Sequence, residues 1–243
     1  MEYHNRLYSG EGPRHFARPA VVAFRHHLVR RIVQACGLTR SSRVLSVGCG
    51  LGDTELLLAP YVGHLTGIDI ADAGIGAARE AAQRQGADNA AFALARLEDL
   101  PPEPAYDAVL AIFFLHHLPD DVLAATPARI GRLLRPGGRV YALDPSIDRL
   151  SGKVGQILFP RLMAKYQTVD ERELALPHVE SLFREAGFQV AGGYYDFGST
   201  PLAGLMPSWA AGYRLARRVD NLILKSHTLR RWGSNFELVA TRP

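Results

Sequence analysis

Val44-Leu45-Ser46-Val47-Gly48-Cys49-Gly50-Leu51-Gly52 is the stretch that decides the fold. With Arg43, its first half reads as a short buried strand, and three glycines follow at once. Glycine lets the backbone turn tightly and approach a ligand with no Cβ in the way. Asp53 then opens a helix through Leu58, which Pro60 ends. The free N–H groups of such a helix start point at whatever lies over the loop. A glycine loop alone is shared by nicotinamide and flavin sites, whose pattern is GxGxxG. Here the third glycine falls two residues after the second, giving GxGxG. The next strand, His64 to Ile70, ends on Asp69, where a carboxylate can accept hydrogen bonds from both hydroxyls of a ribose.

Working outward, Pro19 to Cys36 has the apolar spacing of an amphipathic helix, closed by Gly37. Ala73 to Gln85 is a second long helix, stopped by Gly86, and a strand lies near Ala91 to Leu94. Ala105 to Phe113 is almost continuously apolar, as a strand buried on both faces must be. A helix over 120–134 is expected to break or bend near Pro127, before Pro136-Gly137-Gly138 turns into a strand at Arg139 to Leu143. An irregular stretch runs to about Asp170. A helix at Leu176 to Ala186, a strand at Phe188 to Tyr194 and a last strand at Asn235 to Thr241 follow. Alternating strands and helices imply a doubly wound, mostly parallel α/β sheet. The last strand has no crossover helix before it and should run antiparallel. The expected division is an N-terminal lid and helix (1–39), a core (40–195), a helical cap (196–232) and the core's final strand (233–243).

Bulk composition narrows the setting. Of 243 residues, 47% are hydrophobic and 21% charged, which excludes a disordered chain and an integral membrane protein. The longest apolar run, Ala108 to Leu115, is far short of a bilayer span. Cys36 and Cys49 offer neither a disulfide framework nor metal-ligand spacing, so no metal is expected. The start MEYHNRLYSG lacks the apolar core of an export signal, so a cytoplasmic setting is expected. The net charge of +4 hides an uneven distribution. Residues 1–43 carry eight basic and two acidic side chains, 44–195 thirteen and nineteen, and 196–243 seven and three. An acidic middle thus lies between two basic ends.

Together these residues resemble the class I S-adenosylmethionine-dependent methyltransferases. Leu97-Glu98-Asp99-Leu100-Pro101 is similar to the family's third cofactor segment. Tyr106-Asp107-Ala108-Val109 through Leu115-His116-His117-Leu118-Pro119-Asp120 is similar to its fourth strand and following loop. Leu133-Leu134-Arg135-Pro136-Gly137-Gly138 is similar to the turn before its fifth strand. Overall, the resemblance spans roughly residues 40–195 and the last strand, with the texture of quinone-biosynthesis and small-molecule methyltransferases. It implies a Rossmann-like seven-stranded sheet that binds S-adenosylmethionine and releases S-adenosylhomocysteine. The implied cofactor set is Ser46, Gly48, Cys49, Gly50, Gly52, Asp69, Ile70, Arg96, Leu97, Glu98 and Ile112. Two positions depart from the family. Ser46 stands where an acid usually anchors the methionine ammonium, with Asp53 as a candidate substitute. Arg96 stands where an acid often accepts the adenine amino group, a role arginine cannot fill. Glu98 or Asp99 could supply that acceptor.

For the chemistry, His117, His116 and Tyr8 are the catalytic candidates. The histidines follow the fourth strand, at the sheet edge where open α/β folds place ligands. His117 is a base or acceptor-binding residue on one reading and a packed pocket-lining residue on the other, which is preferred. Asp144 is near the rim. Tyr3, His4, Tyr8 and His15 precede the first long helix; on one reading the segment is a lid over the cofactor, as in relatives, with hinge glycines at 10 and 12, and on the other it is a frayed terminus. His26-His27 reads as a solvated face.

Residues 196–232 are not explained by the generic fold. Thr200 to Tyr213 carries no charge, and Arg214, Arg217, Arg218, Lys225, Arg230 and Arg231 follow. The segment reads as a cap packing its apolar face on the sheet, with peripheral membrane-surface contact through 200–232 as the other reading. The expected function is methyl transfer to a small-molecule or lipid-like acceptor carrying an anionic group, achieved mainly by proximity and orientation. A non-catalytic protein with a degenerate site and a nucleic-acid methyltransferase are the alternatives. Nucleic acid is not the expected partner, because no base-methyltransferase motif or RNA-binding module is present.

Overall fold

The computed structural model describes Tyr8, residues 12–152 and residues 173–243. Tyr3, His4, the expected hinge at 9–11 and most of the expected irregular stretch lie outside the described residues. Seven strands form one sheet in the order β3-β2-β1-β4-β5-β7-β6. They are β1 (Arg43–Val47), β2 (His64–Asp69), β3 (Ala90–Leu94), β4 (Tyr106–Ile112), β5 (Leu134–Pro145), β6 (Gln189–Asp196) and β7 (Asn235–Thr241). Neighbours run parallel except for β7, which is antiparallel to both β5 and β6. The fold expected from the alternating pattern is the fold observed. The helices are α1 (Gly12–Phe16), α2 (Pro19–Cys36), α3 (Asp53–Leu58), α4 (Asp72–Gln85) and α5 (Asp120–Leu133), then α6 (Leu176–Glu185), α7 (Ser199–Leu205) and α8 (Ala210–Ile223).

Period-two alternation sorts the core onto two faces of the sheet. Leu45, Val47, Val109, Ala111 and Val140 pack under Leu123 and Ile130 of α5 and Val179 and Phe183 of α6. On the other face Val44, Ala108, Leu110, Tyr141 and Leu143 pack against Phe24, Leu28 and Ile32 of α2. The helix expected as part of a lid is therefore a core helix. It is tied to the sheet by Arg31, whose Nε donates to both Glu237 oxygens at 3.1 and 2.9 Å, and Tyr141 donates to Glu237 at 2.9 Å.

Three local expectations need correction. α5 runs unbroken through Pro127, because that ring is itself buried and packing outweighs one missing N–H. β5 starts at Leu134, pairing with Tyr106 ahead of the Pro-Gly-Gly turn; the register then shifts, with Gly137 at φ 76°. His27 is not solvated. Its Nδ1 lies 2.7 Å from the Tyr195 hydroxyl, and burial with nearby Arg217, Arg30 and Arg31 pushes its pKa down to about 4.

Between β6 and β7 the cap is pinned by two buried carboxylates. Asp220 of α8 accepts from the backbone N–H of Gly198 and Ser199 at 2.9 Å each, and Asp196 accepts from Thr200 N–H at 2.7 Å and Asn235 Nδ2 at 2.8 Å. Acids at a helix start satisfy its free N–H groups. No helix among the described residues is long and apolar enough to cross a membrane.

The lowered His27 pKa has a testable consequence. Between about pH 4 and 6.5 the unfolded chain binds a proton at His27 that the folded chain refuses, so stability falls as the pH drops through that window. Urea unfolding of His27→Gln against the parent should show a flatter profile between those limits and no difference in slope above them.

Candidate functional site

The crossover direction reverses between β1 and β4, which sit side by side in the sheet. Open α/β sheets place ligands at the carboxyl ends of strands at such a point. Two adjoining cavities lie there. The first, about 330 Å³, is lined by Val47, Gly48, Asp69, Ile70 and Arg96 to Glu98, then by Phe113, Phe114, His117 and the Leu118-Pro119 turn. The second, about 230 Å³, is lined by Cys49 to Leu51, Asp53 to Glu55, Phe16, Phe24, Arg25 and Ile112. Tyr8, Gly48, Phe113 and His117 line both.

Asp69 organises the loop between them. One of its oxygens accepts the Gly50 N–H at 2.8 Å and the other accepts the Ala71 N–H at 2.8 Å. Gly48 and Cys49 both donate to the Ile68 carbonyl, at 2.8 and 3.1 Å. These bonds hold Gly48 at φ +70° and Gly50 at φ +51°, in the left-handed region that favours glycine. A Cβ on Gly48 would sit 2.5 Å from the Phe114 ring, and one on Gly50 would sit 2.7 Å from the Tyr8 hydroxyl. Burial, and then Asp69, Cys49 and Glu55, raise the Tyr8 phenol above its ordinary pKa.

Ser46 lines neither cavity. It is buried, and its hydroxyl donates to Glu55 Oε1 at 2.6 Å. Glu55, in the first turn of α3, thus brings a carboxylate to the position next to Ser46. Burial raises its pKa, against the pull of the Ser46 hydrogen bond and of Arg25. Asp53, the substitute expected from sequence, is engaged with Arg25 at 2.6 Å. Burial lowers the Arg25 guanidinium to about 10, leaving it charged at neutral pH.

At the other end, Leu97 is buried and Arg96 and Glu98 face the larger cavity. Asp99 is occupied in folding the turn: it accepts the Arg96 N–H at 3.0 Å. Glu98 lines the cavity and pairs with Arg129. Of the two acids considered as replacements beside Arg96, geometry brings only Glu98 to the wall. Gly52 is also away from the walls; its Cα packs on Phe92 and Ala78, and it caps α3.

The two histidines separate. His117 lines both cavities, whereas His116 is buried behind it and lines neither. His116 Nδ1 lies 2.6 Å from Asp144 Oδ1, and the same oxygen accepts the His116 backbone N–H at 3.2 Å. The His117 ring lies against that of His116, tilted by 39° with centroids 3.9 Å apart. Burial raises Asp144, partly offset by its bonds to His116.

Sequence reading missed Arg25, which reaches the site through its pairing with Asp53, and Glu55, which α3 sets beside Ser46 of β1. It also missed Phe113, held at φ 50°, which is unusual for a bulky side chain and places the ring where both cavities meet.

Residues 44–138, which contain the glycine loop, Asp69 and the β4 loop, match the family model described as a methyltransferase domain. This part of the chain is a methyltransferase domain, and the sheet order and glycine loop around it are those of the S-adenosylmethionine-dependent type. The chain is similar to demethylmenaquinone methyltransferase of Staphylococcus aureus (strain JH9), 28% identical over 190 residues covering 69% of this chain and 77% of that one. Its fold is similar to magnesium protoporphyrin IX methyltransferase (ChlM) of Synechocystis PCC 6803, solved with bound SAH. The TM-score is 0.67 at 18% identity, covering 100% of this chain and 97% of that one. It is also similar to the N-methyltransferase NodS of Bradyrhizobium japonicum WM9 in complex with S-adenosylhomocysteine. There the TM-score is 0.62 at 16% identity, with the same coverage.

In this glycine loop Gly48→Ala should lower unfolding stability by about 1–2 kcal/mol from backbone strain, with a further loss from displacing Phe114. Urea denaturation would measure it, and an unchanged midpoint would contradict the left-handed loop.

Proposed function

We propose that this methyltransferase binds S-adenosylmethionine across both cavities and methylates a small, lipid-like acceptor bearing an anionic group. The observation that carries the reading is Asp69. One carboxylate oxygen accepts from Gly50 of the glycine loop and the other from Ala71 at the start of α4, and each has a second lone pair to offer a ribose hydroxyl. When bound, S-adenosylmethionine supplies a methyl group already activated by its sulfonium. The glycine loop lines both cavities, and its backbone would lie along the chain that joins the ribose to the methionine end. Glu55 is the acid there, standing in for the family's carboxylate at position 46 with Ser46 as its orienting donor. Arg25, held by Asp53, offers the methionine carboxylate a guanidinium. Leu97 and Ile70 would flank the adenine, with Glu98 as the acceptor for its amino group.

Holding the acceptor in line can be worth about 7–11 kcal/mol of barrier, and a general base adds roughly 10²–10⁴-fold. Of the catalytic candidates, His117 is the residue that would meet an acceptor proton. His116 and Asp144 are positioning residues that hold the His117 ring by ring-to-ring contact. Tyr8, between the two cavities, shields the transferring group from water. The apolar wall of Phe113, Phe114, Leu118 and Val122 suits a lipid-like acceptor, and the similarity to a demethylmenaquinone methyltransferase supports the same class.

Isothermal titration with S-adenosylhomocysteine tests the cofactor assignments. Asp69→Ala should weaken binding by at least roughly 10-fold, as expected for loss of charge-assisted hydrogen bonds. Glu55→Gln should weaken it by about 10-fold while keeping the Ser46 hydrogen bond, and the swap Ser46→Asp/Glu55→Ala should recover most of the loss. An unaltered affinity in Glu55→Gln would remove Glu55 from the methionine end. For the acceptor, S-adenosylhomocysteine release should be stimulated by the lipid fraction of a cell extract and not by polar-metabolite or RNA fractions.

A further inference from the structure

The helix α8 has three faces where a simple cap needs two. Tyr213 and Asp220 are buried, and the Tyr213 ring meets Phe24 of α2 at 6.5 Å edge-on. Arg217 turns inward as well, with its guanidinium 4.6 Å from the Tyr195 ring. Helical spacing then places Leu215, Val219 and Leu222 together on an outer stripe, 59%, 46% and 67% exposed. Arg214, Arg218 and Lys225 form a basic stripe beside it, all exposed. The turn before the helix adds Leu205, Met206 and Trp209, 61%, 47% and 49% exposed. Between α7 and α8 runs an open groove of about 370 Å³ walled by Phe197, Leu202, Trp209, Leu215, Val219 and Ile223. Of the twelve large hydrophobics most exposed among the described residues, six lie between 205 and 222.

We infer that this face docks on an anionic lipid bilayer. Apolar side chains beside a cationic stripe, with a tryptophan at the margin, are what an interfacial helix uses to sink into the headgroup boundary. The charge pattern selects this occupant over a second copy of the chain. Asp220 is the only acid between residues 197 and 234, and it is buried under the cap. Two copies meeting through this face would bring basic stripes together with no acid to answer them, whereas anionic headgroups answer all of them. The bilayer also requires no spanning segment: the apolar face is shallow and the basic residues reach outward. The inference does not depend on which acceptor is methylated. It links to the site through one aromatic layer, Tyr213 on Phe24 and Phe24 on Phe113, the last lining both cavities.

The test is vesicle flotation of the full chain, read without turnover so that it stands or falls separately from methyl transfer. Vesicles of phosphatidylcholine with phosphatidylglycerol should carry the protein at low salt, vesicles of phosphatidylcholine alone should carry far less, and added salt should release it. The triple variant Arg214→Glu/Arg218→Glu/Lys225→Glu should lower the partition coefficient on the order of 100-fold or more, from the contribution of each basic side chain near an anionic surface. Leu215→Gln/Leu222→Gln, at exposed positions that preserve folding, should lower it as well, and Arg40→Glu, an exposed charge elsewhere, should leave it unchanged. Retained S-adenosylhomocysteine binding would show each variant folded. Absence of flotation with anionic vesicles would overturn the inference. So would equal loss in Arg40→Glu, or a concentration-dependent dimer abolished by Leu215→Gln/Leu222→Gln with no lipid binding.

Discussion

The hydrogen bond from Gly50 N–H to Asp69, 2.8 Å long, is the contact on which the site is built. It joins the end of β2 to the glycine loop after β1, and it holds the loop in a conformation that leaves no room for a Cβ. The same carboxylate faces the larger cavity with unused lone pairs. One residue therefore sets the shape of the glycine loop and forms part of the cavity wall, so loop geometry and cavity shape are coupled through a single side chain. The parallel pairing of β1 with β2 and β4 exists to bring that loop to the sheet edge where the crossover direction reverses.

A buried negative charge is costly unless it is hydrogen-bonded or paired. That constraint explains the arrangement at the second cavity. Ser46 places a hydroxyl on the strand, and Glu55 of α3 accepts a hydrogen bond from it. Arg25 supplies the opposite charge from α2 and is itself balanced by Asp53. The group forms a compact set of two acids, one cation and one hydroxyl, drawn from three elements. The acidic middle of the sequence and its basic N-terminal block meet here.

The cap shows how one helix can serve two surfaces. Asp220 and Asp196 fasten the start of α7, and Tyr213 joins the aromatic layer over α2, so the inner side is spent on folding. What remains is an outer apolar stripe with cations beside it, which the core has no use for. Burial on one side thus defines the chemistry of the other.

Much of the fold was legible in the sequence because it rests on local pattern. Strand β4 had to be buried on both faces, Gly37 and Gly86 had to end helices, and the GxGxG loop with Asp69 marked the sheet edge where the two cavities lie without reference to any distant residue. The candidate site was legible only where its residues lie in motifs. Glu55 escaped notice because a glutamate in the first turn of a helix reads as an ordinary favourable charge; only the packing of α3 against β1 sets it beside Ser46. His116 and His117 are adjacent in sequence, yet Asp144, twenty-eight residues on, buries one and leaves the other in the cavity wall. Likewise His27 read as solvated until Tyr195 covered it, and α8 read as a cap with one apolar face until tertiary packing used the other side. By itself the sequence determined the order of the strands, the glycine loop and the acid that ends β2, since these depend on spacing along the chain. Which charges pair, which histidine meets solvent and which helix face stays open were decided by tertiary structure, because each depends on what is brought up against it from far along the chain.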